Sequence, residues 1–121
     1  MQNFVLYMPN VLIGEDVSQT IVEEWPQAHV RICATPARLA EELALAAAPA
    51  VVLLMIDEDA LSRRYKNICA QLVRHRVVLL TTAENLALTG HTQWGYVEMP
   101  FASETLVAAI KAAVVSQPLL A

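Results

Sequence analysis

The chain has 121 residues, a length that suits one compact domain over residues 1–121. Its composition is 56% hydrophobic and only 17% charged, so we expect another chain to cover part of its apolar surface. The net charge of -4 argues against nucleic-acid binding by this domain alone, because phosphate contacts need a basic face.

The first third of the chain predicts a strand, a helix and a second strand. Residues 3–8 form an apolar run that is typical of a buried strand. A helix with apolar residues at helical spacing follows, and Asp16 or Ser18 is its predicted N-cap. Residues 29–35 alternate between apolar and polar types and therefore indicate a strand.

The next helix has the clearest start in the sequence. Thr35 is its predicted N-cap, and Pro36 suits the first helical position because its missing N–H needs no partner there. Residues 37–48 are rich in alanine, leucine and glutamate and continue the helix. Residues 50–56 are a continuous apolar run, which is typical of a strand buried on both faces of a parallel sheet.

The second half of the chain continues the alternation of helices and strands. It predicts, in order, a helix over 57–75, a strand over 77–81, a short helix or loop over 84–93, a strand over 94–99 and a last helix over 103–116 with Ser103 as its N-cap. Such an order requires a parallel sheet that is covered on both faces. We therefore predict an α/β fold, a flavodoxin-like (βα)5 three-layer sandwich whose five-stranded parallel sheet has the order 2-1-3-4-5.

The last predicted strand carries a recognisable motif. Residues 95–101 read Gly-Tyr-Val-Glu-Met-Pro-Phe, which closely resembles the Gly-Tyr-Val-x-Lys-Pro-Phe segment of response-regulator receiver domains. Residues 82–84 are similar to the Thr-Ala end of that family's fourth strand, and residues 49–54 look like its approach to the phosphorylated aspartate. The whole chain fits the family's order of elements and so resembles a chemotaxis-regulator-like receiver domain.

The residues that handle phosphate in the family are replaced here. The resemblance implies four changed positions: Met55 at the phosphoacceptor aspartate, Met99 at the lysine, and Met8 and Pro9 at the acidic pair. The hydroxyl position is kept, at Thr82 or Thr81. Thioethers can neither ligate Mg²⁺, which prefers oxygen, nor attack phosphorus. We therefore predict a degenerate phosphorylation site with no catalytic residue, metal or cofactor.

The predicted function is that of a phosphorylation-independent pseudo-receiver. It is a protein–protein interaction or dimerisation module in bacterial signal transduction or transcriptional regulation, and it is not an enzyme. Two alternatives stay open. A two-residue slip makes Asp57 the acceptor of an atypical receiver that is still phosphorylated. It is disfavoured because the acidic pair after the first strand would still be missing and because residues 57–59 suit the solvated first turn of a helix. A small α/β ligand-binding or enzymatic domain is disfavoured by only three glycines and no glycine-rich phosphate loop.

The resemblance implies a partner surface on the last strand and the last helix. Tyr96 matches the family's switch aromatic, although a packing role on an edge strand fits it equally well. The last helix is apolar on its outer face as well as its core face, with Lys111 as the lone outer charge. The predicted switch and interface residues are Tyr96, Glu98, Phe101, Val107, Ala108, Lys111, Ala112 and Val115.

We therefore expect a homodimer or a protein partner, such as a signalling kinase, a regulator or a fused output domain. The simpler alternative is that the alanines of the last helix only favour helix formation. The apolar residues 118–121 are expected to be an ordered extension or the start of a link to an output domain.

The remaining features point to an ordinary cytoplasmic setting. Cys33 and Cys69 form no metal or redox motif and suit a reducing compartment. The sequence predicts neither a signal peptide nor a membrane span, so we expect no membrane contact. His29, His75 and His91 are expected at the surface or in turns, where they are neither ligands nor bases.

Overall fold

The computed structural model describes residues 3–46, 49–55, 72, 74–81 and 95–116. Its strands are β1 (Asn3–Tyr7), β2 (His29–Cys33), β3 (Val51–Met55), β4 (Arg76–Thr81) and β5 (Gly95–Glu98). Its helices are α1 (Val11–Glu24), α2 (Pro36–Leu45) and α3 (Ser103–Ser116). The segment predicted over 84–93, and the helix predicted over 57–75 apart from residues 72, 74 and 75, lie outside the described residues.

The strands form one parallel sheet in the order β2-β1-β3-β4-β5. The predicted fold class and strand order are therefore confirmed. β3 and β4 lie inside the sheet and are buried along most of their length, which explains their continuous apolar sequences. Because all strands point the same way, their last residues meet at one edge of the sheet, which we name the carboxyl edge.

Two apolar clusters cover the two faces of the sheet, because side chains alternate between faces along each strand. The first cluster joins the sheet to α1 and α3 and includes Phe4, Leu6, Met8, Leu53, Leu80, Ile21, Leu106 and Ile110. The second cluster joins the opposite face to α2 and includes Val5, Val52, Leu54, Leu79, Leu39 and Leu43. Each fully buried leucine or isoleucine contributes roughly 1.5–3 kcal/mol, so the two clusters hold the three layers together.

α2 begins as the sequence predicts. Thr35 is its N-cap, and the Thr35 Oγ1 accepts the backbone N–H of Arg38 at 3.2 Å. Pro36 is the first helical residue. The helix ends at Leu45, not at residue 48 as predicted, because Ala46 has an extended backbone with φ -70° and ψ 136°.

The predicted cap of α1 is wrong. The helix begins at Val11, and the cap is Asn10, whose Oδ1 accepts the N–H groups of Leu12 and Ile13 at 3.0 and 3.2 Å. In the first turn Val11 and Leu12 face solvent, with Leu12 73% exposed, and the buried position is Gly14. Hydrophobic periodicity therefore becomes visible only from Val17 onwards, which is why the predicted start was too late.

α3 covers the predicted range and buries the predicted face, since Leu106, Ile110 and Ala113 are all within the first cluster. Its predicted cap is wrong. The N–H of Leu106 donates to the carbonyl of Ala102 at 3.1 Å, so Ala102 holds the cap position and Ser103 is the first helical residue. Neither α3 nor either of the other two described helices has the length and apolarity that a membrane span requires.

His75 lies in the turn before β4, as the sequence allowed, but its side chain is buried and not at the surface. Its Nδ1 accepts the backbone N–H of Ala50 at 2.9 Å, directly before β3. Burial lowers the pKa of His75, and the positive charge of Arg74 lowers it further. The neutral ring is therefore the form that can hold this bond. His29 is exposed as predicted, and His91 lies outside the described residues.

Candidate functional site

Met8, Met55 and Met99 all lie at the carboxyl edge of the sheet. Met8 directly follows β1, Met55 ends β3, and Met99 directly follows β5. Tyr7 pairs with Leu54 in parallel register, so Met8 and Met55, the residues that follow them, are level on neighbouring strands. The structure thus brings together the three methionines that replace phosphate-handling residues in the resemblance.

All three methionine side chains pack against the first cluster. Met8 is only 1% exposed, and Met55 and Met99 are partly buried. Gly14 permits α1 to approach closely here, because a Cβ built on Gly14 would lie 3.2 Å from the Cβ of Met8. Methionine side chains adapt readily to irregular apolar space. This part of the carboxyl edge is therefore packed with apolar atoms.

Of the two candidates for the hydroxyl position of the resemblance, Thr81 is among the described residues. Thr81 ends β4 and is buried, and its carbonyl accepts the backbone N–H of Met99 at 3.0 Å. The peptide bond between Met99 and Pro100 is cis. Thr82 and Asp57 lie outside the described residues, so both stay predictions.

The connection from β1 to α1 holds the second position of the acidic pair. Pro9 is exposed there and carries no ligand group. The amide oxygen of the next residue, Asn10, accepts two backbone N–H groups of α1. The nearest carboxylates along the chain, Glu15 and Asp16, are exposed on α1.

The described residues of the carboxyl edge do not fit Mg²⁺. That ion takes oxygen ligands in octahedral geometry, whereas these positions offer three thioethers, a proline, the hydroxyl of buried Thr81 and an amide oxygen that caps a helix. Within the described ranges, no three His, Cys, Asp or Glu side chains are grouped so that they could hold a metal ion.

The residues predicted on and after β5 differ in their exposure to solvent. Tyr96 is 53% exposed, and Glu98 is also exposed, while Val97 between them is buried in the first cluster. Phe101 packs against the first cluster. Tyr96 and Glu98 are thus exposed on the edge strand, whereas Phe101 contributes to the core.

The outer face of α3 also divides into two parts. Four of its predicted residues are exposed: Ala108, Lys111, Ala112 and Val115. Val107 is half-buried. The Lys111 Nζ lies 2.8 Å from the Glu24 Oε1, so the one charge predicted on this face links α3 to α1.

A groove beside α1 at the carboxyl edge was not predicted. It has a volume of about 460 Å³ and lies between α1 and the segment that leads from β5 to α3. Asp16 and Glu23 line its α1 side, and Met99 and Phe101 line the other side. Asp16 and Glu23 are about two helical turns apart. This spacing is the sequence signal that places them on the same side of α1.

A larger groove lies at the opposite edge of the sheet, where α1 and α3 end. We name this space, with a volume of about 710 Å³, the Trp25 groove. Its lining includes Trp25, Pro26, Val114 and Val115. The ion pair of Glu24 with Lys111 is part of its wall, and the Trp25 ring also packs on Phe4 with 5.5 Å between the ring centroids.

Comparison with solved structures finds that this chain is similar in structure to response regulators. A structure of the chemotaxis protein CheY4 of Vibrio cholerae, crystallised at low pH (4.0), is similar with a TM-score of 0.73 at 18% identity, covering 93% of this chain and 98% of that chain. A second structure of this chemotaxis response regulator gives a TM-score of 0.71 at 19% identity, with the same coverage of 93% and 98%.

A response regulator receiver protein from Burkholderia phymatum gives a TM-score of 0.72 at 13% identity, covering 98% of this chain and 100% of that chain. No protein-family model matches the sequence, and the comparison with curated proteins finds no match. The structural similarity extends over nearly the whole chain and agrees with the strand order described above. This chain therefore has the fold of the response-regulator receiver domains.

Proposed function

We propose that this chain is a pseudo-receiver, a non-catalytic protein-binding module that works without phosphorylation. The observation that carries the proposal is the packing of Met8, Met55 and Met99 against the first cluster. Phosphoryl transfer to an aspartate needs a carboxylate nucleophile and a cation that neutralises the phosphate oxygens. At the matching positions this chain has side chains that fill space and carry no charge.

The setting of the proposal is bacterial signal transduction or transcriptional regulation. The neighbouring structures are named as a chemotaxis response regulator and a response regulator receiver protein, which supports a signalling role for a chain of the same fold. Fold alone does not give a function. The role of this chain therefore depends on which surface it offers to another protein.

The binding surface in this proposal is formed by β5 and α3. Tyr96 and Glu98 are exposed on the edge strand, and Ala108 and Ala112 are exposed one helical turn apart on α3. Small side chains let another helix approach closely, because the distance between packed helices depends on the side chains at the contact. We propose a second copy of this chain as the partner. The alternative partners, which are different proteins, are a kinase, a regulator or a fused output domain.

A double variant, Ala108→Glu with Ala112→Glu, tests this surface. We expect the dimer dissociation constant, measured by sedimentation velocity over a concentration series, to rise at least about tenfold, because two buried like charges face their symmetry mates. The matched control is Ala44→Glu, which places the same change on an exposed position of α2. A wild-type chain that stays monomeric, or a double variant with unchanged association, would contradict the proposed homodimer.

A further inference from the structure

We propose that residues 118–120 of this same chain, Pro-Leu-Leu, dock in the Trp25 groove. These residues follow the end of α3 at Ser116 and lie outside the described part of the chain. The inference concerns the opposite edge of the sheet from the methionines and does not depend on how the carboxyl edge functions.

The Trp25 groove has an exposed apolar wall. Val115, which lines it, is 86% exposed, and Pro26 is exposed as well. Trp25 belongs both to the groove and to the packing around the first cluster. Apolar surface of this kind is favourably covered, since burial removes it from water.

The tail has the reach that docking requires. Val114 and Val115 are groove residues and lie only a few positions before Pro118. An extended chain advances about 3.3–3.6 Å per residue, so three residues can span about 10 Å.

The charges of the groove favour an uncharged occupant. Glu24 and Lys111 already pair with each other at 2.8 Å, so an apolar segment would leave neither charge without a partner. Residues 117–121 contain no charged side chain. A segment joined to the groove by so short a connection also has a high effective concentration, which favours docking within one chain over docking between two copies.

Trp25 fluorescence provides the test. In a Trp94→Phe background Trp25 is the sole tryptophan, since the chain has two. In the double variant Leu119→Asp with Leu120→Asp we expect stronger acrylamide quenching of Trp25 and a melting temperature lower by about 4 °C. The matched control is Leu45→Asp on α2, an 81% exposed leucine away from the groove, which should leave the quenching unchanged.

A second comparison separates docking from a general effect of the tail. Val115→Asp alters the groove wall, so it should raise the quenching by itself, and adding the tail substitutions should then raise it little further. Unchanged quenching in the tail variant would overturn the proposal. A change that disappears on dilution would also overturn it, because the tail would then occupy the groove of another copy.

Discussion

Met8 and Met55 lie level with each other on neighbouring strands, and both side chains pack against the first cluster. In the resemblance these two positions belong to an acidic residue and to the phosphoacceptor. Here they extend the apolar core to the carboxyl edge of the sheet. Restoring carboxylates at this place would therefore place charge against packed apolar atoms and would not recreate an open acidic site.

Replacement of Met8 measures how strongly the edge depends on apolar packing. We expect Met8→Asp to lower the free energy of unfolding by about 3 kcal/mol, because the side chain is buried and a carboxylate there has lost its hydration. Met8→Leu should cost less than about 1.5 kcal/mol. Urea unfolding of both variants gives the comparison, and equal stabilities would show that the position is open to water.

The bond between His75 and Ala50 predicts a pH dependence of stability. The folded-state pKa of His75 is lowered from its ordinary value of 6.5, so between these two pKa values the unfolded chain binds more protons than the folded chain. The stability that the neutral His75 ring contributes to the folded chain is therefore fully present above pH 6.5. It is lost as the pH falls through the folded-state pKa.

Two variants of His75 distinguish the effect of protonating its ring on stability from the effect of losing its hydrogen bond to Ala50. His75→Asn offers an amide oxygen in place of Nδ1, so we expect it to keep most of the stability and to lose the pH dependence. His75→Ala leaves the buried N–H of Ala50 without this acceptor and should cost about 1–3 kcal/mol at pH 8. Urea titrations at a series of pH values check both, and a wild-type slope in His75→Asn would assign the pH dependence to another group.

The ion pair of Glu24 with Lys111 should contribute little to stability. The two side chains are 40% and 58% exposed, so water screens their attraction, and we expect a coupling energy of about 0.2–1 kcal/mol in a double-mutant cycle. Charge-neutral variants, Glu24→Gln and Lys111→Gln, define the cycle. Glu23→Gln is the control. If the coupling energy between Glu23 and Lys111 were as large as that between Glu24 and Lys111, the pairing would be contradicted.

Burial should protect the Cys33 thiol from reagents. Burial raises the pKa of Cys33, and the nearby Glu42 carboxylate raises it further, while Arg38 and Arg31 act in the opposite direction. In a Cys69→Ser background, we expect iodoacetamide to modify the folded chain at least about a hundredfold more slowly than the chain in urea. Similar rates in the two conditions would show that the end of β2 opens readily.

The fold was largely readable from local sequence. The continuous apolar runs of β3 and β4 predicted buried parallel strands, and Thr35 with Pro36 predicted the start of α2. The start of α1 was missed because Val11 and Leu12, in its first turn, face solvent. The buried position of this turn is a glycine, Gly14, which carries no apolar side chain and so adds nothing to the hydrophobic periodicity.

The site was readable only in part, because its contacts join residues that are far apart in sequence. The resemblance placed three methionines at one edge, and the sheet order brings them there. No local pattern gave Lys111 its partner on α1, and His75 bonds to a backbone group 25 positions away. The Trp25 groove likewise exists only once α1 and α3 lie side by side.

Incubation of the full chain with a small-molecule phosphodonor distinguishes a pseudo-receiver from a working receiver. With Mg²⁺ and acetyl phosphate, we predict no phosphoryl adduct in the intact-mass spectrum, and with Mg²⁺ and beryllofluoride no change in tryptophan fluorescence, because the edge offers thioethers where a receiver needs oxygen ligands and a nucleophile. The wild-type chain and Asp57→Asn should behave alike. A phosphoryl adduct on the wild-type chain that Asp57→Asn abolishes would contradict phosphorylation independence and make the chain an atypical receiver.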